Sequence, residues 1–467
     1  MPEKRLIVGA PDCFDRGVLI SRVAALRAEE EERYRRSNPK SQSLARDGRQ
    51  GFYAGVPMHW MLDWPLPFPL VVADAIGATL RDVDGRTLAD FCLGDTGSMF
   101  GHSPEPIARA IEEHARQGFS YMLPSAKGLQ VGDLLAARFG LPYWQVATTA
   151  SDANRFALRL ARAVTGRAKI LIMNGCYHGA VDETYVALMD GHTVNKPGLI
   201  GQFEDLTQST VVIEFNDLPS LERALRTHTI ACVITEPVLT NCAMVLPDPD
   251  YHAQLRALTR ETGTLLLIDE THTISSGPGG YTKRYGLQPD LFVLGKPIAG
   301  GLAASVWGFS DDVAAGWDRI RREKAAGHSG IGTTLSANAL AMHAIYTTLN
   351  ELMTDAAYRH METCAERLAR GLESSIVRHQ VPWHVARVGA RVEFVCERGP
   401  LKNGSEAYRA HAPLLEQAIH LALLNRGCLI APFHNMMLTC QATTVSQVDL
   451  LIDSFDEVVS LLVGSAN

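Results

Sequence analysis

Short apolar runs and amphipathic stretches alternate along most of this chain. Lys169–Met173, Thr210–Ile213, 231–235 and 265–268 are near-continuous apolar runs of four or five residues. Runs of this length without polar alternation read as strands buried on both faces. Between them, 152–165, Leu218–Thr227 and 250–262 carry apolar residues at helical spacing. That alternation predicts an α/β fold: a three-layer domain around a mostly parallel sheet. Ahead of it, 71–75 and Thr79–Asp82, followed by the turn 83–86, read as a hairpin, and 106–117 as a helix. The segment 336–353 reads as a long helix leaving this domain. Beyond it, helices at 356–371, Pro413–Asn425 and Val445–Val463, with short strands around Val392 and Leu429, form an α+β appendage with its own small core. The expected division is an N-terminal segment 1–70, a large domain 71–345 and a small domain 346–467.

The first segment has a different texture. Residues 22–36 are dense in arginine and glutamate and read as a helix with a solvated face. Residues 52–69 combine aromatics with four prolines, which disfavours long helices and central strands. So many aromatics on irregular backbone should cover a pocket or a subunit interface. The net charge of -7 gives no general attraction to nucleic acid or anionic membranes. No stretch has the roughly 18 apolar residues of a membrane span, and the start of the chain has no apolar signal-peptide core. Nine cysteines without a CxxC pair read as reduced thiols of a cytoplasmic protein, and no metal site is expected.

The chemistry concentrates at the ends of the apolar runs. Leu291–Leu294 is followed by Gly295 and Lys296, then by Gly300 and Gly301; 27 residues upstream of the lysine, Asp269 ends another run. A charge at such a place is costly to bury unless it is paired or used. A lysine and an aspartate at neighbouring strand ends suit pyridoxal phosphate: the lysine forms a Schiff base with the aldehyde, and the aspartate keeps the pyridine nitrogen protonated. Residues 148–154 open a helix, and small residues with the Ser151 hydroxyl there suit a phosphate, although Ser-Asp before a helix is also an ordinary cap. Tyr177, before His178 and Gly179, stands where an aromatic can stack on a flat ring or simply pack. Glu236, before Pro237, is either a hydrogen-bonding carboxylate in the site or a surface acid.

In this order the motifs resemble the class III, fold-type I pyridoxal-phosphate aminotransferases, from about Pro69 to the C-terminus. Residues 90–104 look like that family's strand and Gly-His turn into a helix. Tyr177, His178 and Gly179 are similar to its ring-stacking motif, Asp269-Glu270 to its Asp-Glu-Val, Gly295-Lys296 to its lysine motif, and 333–338 to its Gly-Thr-Phe-Ser-Gly-Asn segment. The glutamate-1-semialdehyde aminomutase and β-amino-acid transaminase branch is the most similar. The resemblance implies a fold-type I domain, pyridoxal phosphate as cofactor, and a homodimer with shared active sites. It implies that Lys296 binds the cofactor and moves the proton, and that Asp269 holds the pyridinium. Ala150 and Ser151 hold the phosphate, with Thr334 reaching it from a second subunit. Tyr177 and His178 lie at the ring, Glu236 supports its hydroxyl side, and Thr271 lies beneath it.

Departures from the family bear mainly on substrate. Where the family has glycine, Ala150 requires a negative φ. Thr271 replaces an apolar residue, so its hydroxyl needs a partner. The two arginines that the β-amino-acid branch uses for a carboxylate fall near Trp60 and His434, and neither is arginine here. Trp60, Trp64, His59, Met99 and Phe100 are candidates to line an aromatic pocket, while Arg391 is either a carboxylate binder or part of a structural ion pair. The leading expectation is therefore a transaminase moving an amino group from a hydrophobic or aryl-bearing amine, or an amino acid, to a keto acid such as pyruvate. The alternative is an aminomutase, which needs a lid; no Gly-rich lid sequence stands at 143–150 or 121–127. A cofactor-binding homologue without turnover is the third reading.

Overall fold

The computed structural model describes residues 17–47, 51–323 and 325–464; Cys13 lies outside them. An antiparallel meander comes first: β1 (Val72–Ile76), β2 (Thr79–Asp82) and β3 (Thr87–Asp90). The main sheet is built from β4 (Tyr143–Ala147), β5 (Lys169–Met173), β8 (Thr210–Ile213), β9 (Ile230–Thr235), β10 (Leu265–Asp269), β11 (Leu291–Leu294) and β12 (Ser305–Phe309); between β5 and β8, β6 (Val186–Met189) and β7 (His192–Asn195) make a separate hairpin. Among the described residues the main sheet has the order β4-β12-β11-β10-β9-β5-β8. Every pairing within it is parallel except those of β12, which runs against both β11 and β4. The alternation read from sequence thus forms the expected mostly parallel sheet. Its strands are buried on both faces, with Leu171, Val233, Leu267 and Val293 inaccessible.

After the main sheet, the chain forms a helix at Ala339–Thr347 rather than from 336. Asn338 sets its start by accepting the Ala341 amide at 2.9 Å. A wider helical turn, Thr348–Leu352, ends it. The C-terminal part holds β13 (His384–Val388), β14 (Arg391–Val395), β15 (Cys428–Leu429) and β16 (Met436–Leu438). β13, β14 and β16 form one antiparallel sheet, whereas β15 pairs in parallel with β3 and so completes the N-terminal meander. The two short strands read around Val392 and Leu429 therefore belong to different sheets.

The charge-dense helix, Ile20–Ser37, has the expected solvated face, with Glu29, Glu32, Arg33, Arg35 and Arg36 exposed, and buries the opposite one. Val23, Leu26, Glu30 and Tyr34 are buried, packed towards the helix Pro413–Asn425. Glu30 is tolerated there because its carboxylate accepts from Asn425 Nδ2 at 2.7 Å and from Arg426 Nη1. Removing it would leave the largely buried Arg426 guanidinium with the exposed Glu457 carboxylate, at 2.9 Å, as its remaining partner. Glu30→Ala should cost about 3 kcal/mol of folding stability, read as a lower urea midpoint at unchanged slope; an unchanged midpoint would show that this pair does not hold the N-terminal helix in place.

Candidate active site

At the carboxyl ends of the main-sheet strands, five segments enclose a cavity of about 390 Å³, the place where open α/β sheets take ligands. Asp269 ends β10, Lys296 lies two residues past β11, Glu236 follows β9, Tyr177 and His178 follow β5, and Ala150 and Ser151 open the helix Ala150–Thr165. All of these line the cavity, as does Thr271. Thr334 does not: it is exposed on the loop ahead of the helix Ala339–Thr347.

Asp269 is buried and fully engaged. Oδ2 accepts from Asn154 Nδ2 at 2.9 Å and pairs with His178 Nδ1 at 3.0 Å, while Oδ1 accepts the Thr271 amide at 3.1 Å. Burial raises its pKa, but the hydrogen bond and charge of His178, with those from Thr271 and Asn154, outweigh it and hold the carboxyl at about 2. His178 is pushed the other way: burial lowers its pKa, yet Cys176 and Asp269 raise it well above the usual value. The result is a carboxylate kept ionised inside the protein and aimed at the cavity. Glu236, read as a surface acid or a site residue, is buried; Thr240 donates to its Oε2 from both amide and hydroxyl, and Oε1 has no partner among the described residues.

The helix Ala150–Thr165 supplies an anion site. Thr149 caps it by accepting the Asp152 amide at 3.2 Å. Ala150 is its first residue, so the backbone is right-handed there and the methyl is tolerated. The Ser151 hydroxyl accepts the Ala180 amide at 2.9 Å, which leaves its own hydrogen free to donate. Two glycines let the neighbouring loops approach. A Cβ on Gly179 would come within 2.1 Å of Ser151 Oγ, and one on Gly295 within 2.7 Å of the Ala150 methyl. Thr271 Oγ1 finds its partner in the Gly295 amide, at 3.3 Å. Tyr177 stands at the mouth, 47% exposed.

Lys296 holds a left-handed backbone, φ 43°, a conformation costing roughly 1–3 kcal/mol for a residue with a side chain. Its amine does not touch Asp269. Nζ donates to Asp95 Oδ2 at 2.6 Å and lies 2.7 Å from His272 Nε2. Burial and then the Lys296 charge hold the His272 pKa well below normal, so the imidazole is neutral and offers a lone pair. Thr96 Oγ1 lies 3.5 Å from His272 Nδ1 and accepts from Arg391.

Asp95, Thr96, Asn154 and His272 were not singled out from sequence. Asp95 and Thr96 stand inside the quoted 90–104 motif, and His272 follows Thr271 directly; three-residue spacing from Ser151 places Asn154 on the same side of its helix.

Of the residues expected to contact substrate, Met99, Phe100 and Trp60 stand away from Lys296, while Arg391 and His434 act on its partner Asp95 from behind. Met99 and Phe100 are buried in the hydrophobic core. Trp60 lines a separate groove in the segment around Pro57–Val72. Arg391 is wholly buried behind Thr96, and His434 sits 3.4 Å from Glu393, facing a different cavity of about 650 Å³. Tyr143–Ala147, one place where a lid was sought, is the edge strand β4. Among the described residues no group of acids, histidines or cysteines is placed to hold a metal, and no helix is long and apolar enough to cross a membrane.

The donor set fits pyridoxal phosphate: an amine, an ionised carboxylate, and a helix N-terminus with a free hydroxyl proton. Residues 63–459 match the family model for aminotransferase class III. The chain belongs to the class III aminotransferases. It is an enzyme of the fold-type I group, and its cofactor is pyridoxal phosphate. A glutamate-1-semialdehyde-aminomutase from Pseudomonas aeruginosa PAO1 is 45% identical, with a TM-score of 0.93 over 96% of this chain and 100% of that one; a lysine-to-alanine variant of that protein has been solved in complex with PMP. The glutamate-1-semialdehyde 2,1-aminomutase of Thermomicrobium roseum is 33% identical over 78% of this chain and 84% of its own length. An omega-transaminase from Sphaerobacter thermophilus is 26% identical, with a TM-score of 0.83 over 91% of this chain and 98% of that one.

The Asp269 pKa gives a signed pH dependence. The folded value, about 2, lies below the unfolded value near 4, so its stabilisation is present above about pH 4 and is lost as pH falls towards 2. Asp269→Asn should flatten this acid limb of stability and weaken cofactor binding at least tenfold, as measured by acid unfolding and by titration of the visible absorbance. An acid limb equally steep in the variant would count against this role.

Proposed function

We propose that the enzyme moves an amino group within a single small substrate, as a glutamate-1-semialdehyde-type aminomutase. The observation that carries this is the wall of the Lys296 cavity. Apart from the ionisable groups and Leu302 it is made of small residues such as Gly97, Thr148, Gly301 and Ala303. Tyr177 is assigned to the ring face, and the other aromatic candidates, Trp60, Trp64 and Phe100, do not line it. The names of the 45% and 33% identical relatives point the same way.

In this reading the bound cofactor supplies an aldehyde to carry the amino group and a ring that accepts electrons from the reacting carbon. Lys296 provides the amine that binds it and takes and returns the proton at that carbon. Asp269, ionised and braced by His178 and Asn154, holds the positive charge on the ring nitrogen. The helix N-terminus at Ala150 and Ser151 anchors the phosphate, Tyr177 covers one ring face, Thr271 lies beneath the ring, and Glu236 supports its hydroxyl side. The exposed Thr334 is assigned to the phosphate of a second copy, which makes the working unit a homodimer.

The test is consumption of one substrate alone. Cofactor-loaded enzyme given glutamate-1-semialdehyde should move the amino group from carbon 2 to carbon 1 with no keto acid added, and Lys296→Ala should lower the rate at least a thousandfold. Turnover that requires pyruvate or another keto acid, with an amine as donor, would replace this reading by the intermolecular transaminase.

A further inference from the structure

We propose that Asp95 is the ammonium receptor of the active site, and that it restricts the enzyme to donors whose amine-bearing carbon carries no carboxylate. This rests on Lys296 being the reacting amine.

Asp95 is held in place by a costly turn. Leu93, Asp95 and Thr96 all take left-handed backbone conformations, φ 46°, 49° and 81°, which persist only where surrounding structure enforces them. The turn delivers Asp95 Oδ2 to 2.6 Å from the Lys296 amine. The second oxygen, Oδ1, is buried and has no hydrogen-bond partner among the described residues; the neutral His272 lies 3.9 Å from it through Nδ1. The side chain keeps 33% of its surface open, so an incoming group can reach it. Lys296, His272, Arg391 and His434 are the titratable and cationic groups that face this carboxylate and keep it ionised. Of these, Arg391 lies behind Thr96 and outside the cavity wall. It backs the carboxylate and leaves the substrate side without a guanidinium.

Whenever Lys296 works as a neutral amine, Asp95 loses its ammonium partner. Its Oδ2, the oxygen that the amine had paired, then faces the space through which a donor amine must approach, a receptor for N⁺–H. A carboxylate on the same carbon as that amine would be brought within roughly 5 Å of a like charge in a site screened from water, which disfavours it by tenfold or more. Glutamate-1-semialdehyde meets the requirement, because its carbon 1 is an aldehyde and carbon 2 bears only the amine.

Binding separates the receptor from the chemistry. In cofactor-loaded Lys296→Ala enzyme, calorimetry should find N,N-dimethyl-n-butylammonium, which keeps an N⁺–H but cannot condense with the aldehyde, bound at least tenfold more tightly than in Lys296→Ala/Asp95→Asn. Equal affinities would overturn the proposal. In otherwise native enzyme, the decay of the cofactor's visible band should be faster with n-butylamine than with 2-aminopentanoate, which adds a carboxylate to the amine carbon. Asp95→Asn should narrow that ratio at least tenfold, and Asp95→Glu should restore much of it. An unchanged ratio in Asp95→Asn, with Arg391→Met slowing 2-aminopentanoate alone, would overturn the proposal in favour of a carboxylate site at Arg391. Asp95-dependent ammonium binding without reaction of either amine would support the receptor and count against the functional reading instead.

Discussion

The site depends on keeping two opposite charges ionised at adjacent strand ends without letting them neutralise each other. Asp269 and Lys296 leave neighbouring strands, β10 and β11, paired in register through Asp269 and Val293. Left to themselves in a low-dielectric interior, they would form the obvious ion pair. Instead each has its own partners. Asp269 is matched by His178, Asn154 and the Thr271 amide, and Lys296 by Asp95 and His272. The space between the two sets stays open for a cofactor, with an acceptor on one side and an amine on the other.

Several unusual backbone features follow from that requirement. Lys296 takes a left-handed conformation, φ 43°, at the turn where the chain leaves β11. Gly295 precedes it because a side chain there would strike Ala150, the first residue of the helix Ala150–Thr165. Gly179 leaves room for Ser151 in the same way. The lysine loop, the Tyr177 loop and the helix N-terminus are therefore fitted to one another. A substitution in one of them would displace the amine or the anion site of another.

Much of this was legible in the chain. The main-sheet strands are apolar throughout, so their positions and their burial follow from pattern alone, and the ionisable residues at their ends stand out against that background. The phosphate loop and Tyr177 were readable only as members of an ordered set. What escaped was set by contacts distant in sequence. Asp95 belongs to a turn after β3, 201 residues before its partner Lys296, and no local spacing links them. β15 looked like a strand of the C-terminal sheet but completes the meander of β3, because a two-residue strand carries no pattern that names its neighbour. The aromatic residues around 52–69 and at Met99 and Phe100 advertised a pocket by composition. Met99 and Phe100 are core residues, and the grouping by type had no bearing on which cavity each side chain would reach.

The origins of the parts explain why the chemistry is easier to read than the substrate. The cofactor-facing residues come from the strands and loops of the main sheet, whose geometry is tied to the parallel ladder. The residues around the outer side of Lys296 come from other places: Asp95 and Thr96 from the turn after the meander, Arg391 from β14 of the C-terminal sheet. A change in that turn can alter the charge beside the amine while the ladder and the anion site stay intact. On the reading proposed for Asp95, selectivity rests on a carboxylate from the turn after the meander, backed by the Arg391 guanidinium of the C-terminal sheet through Thr96, on ground that the main sheet does not define.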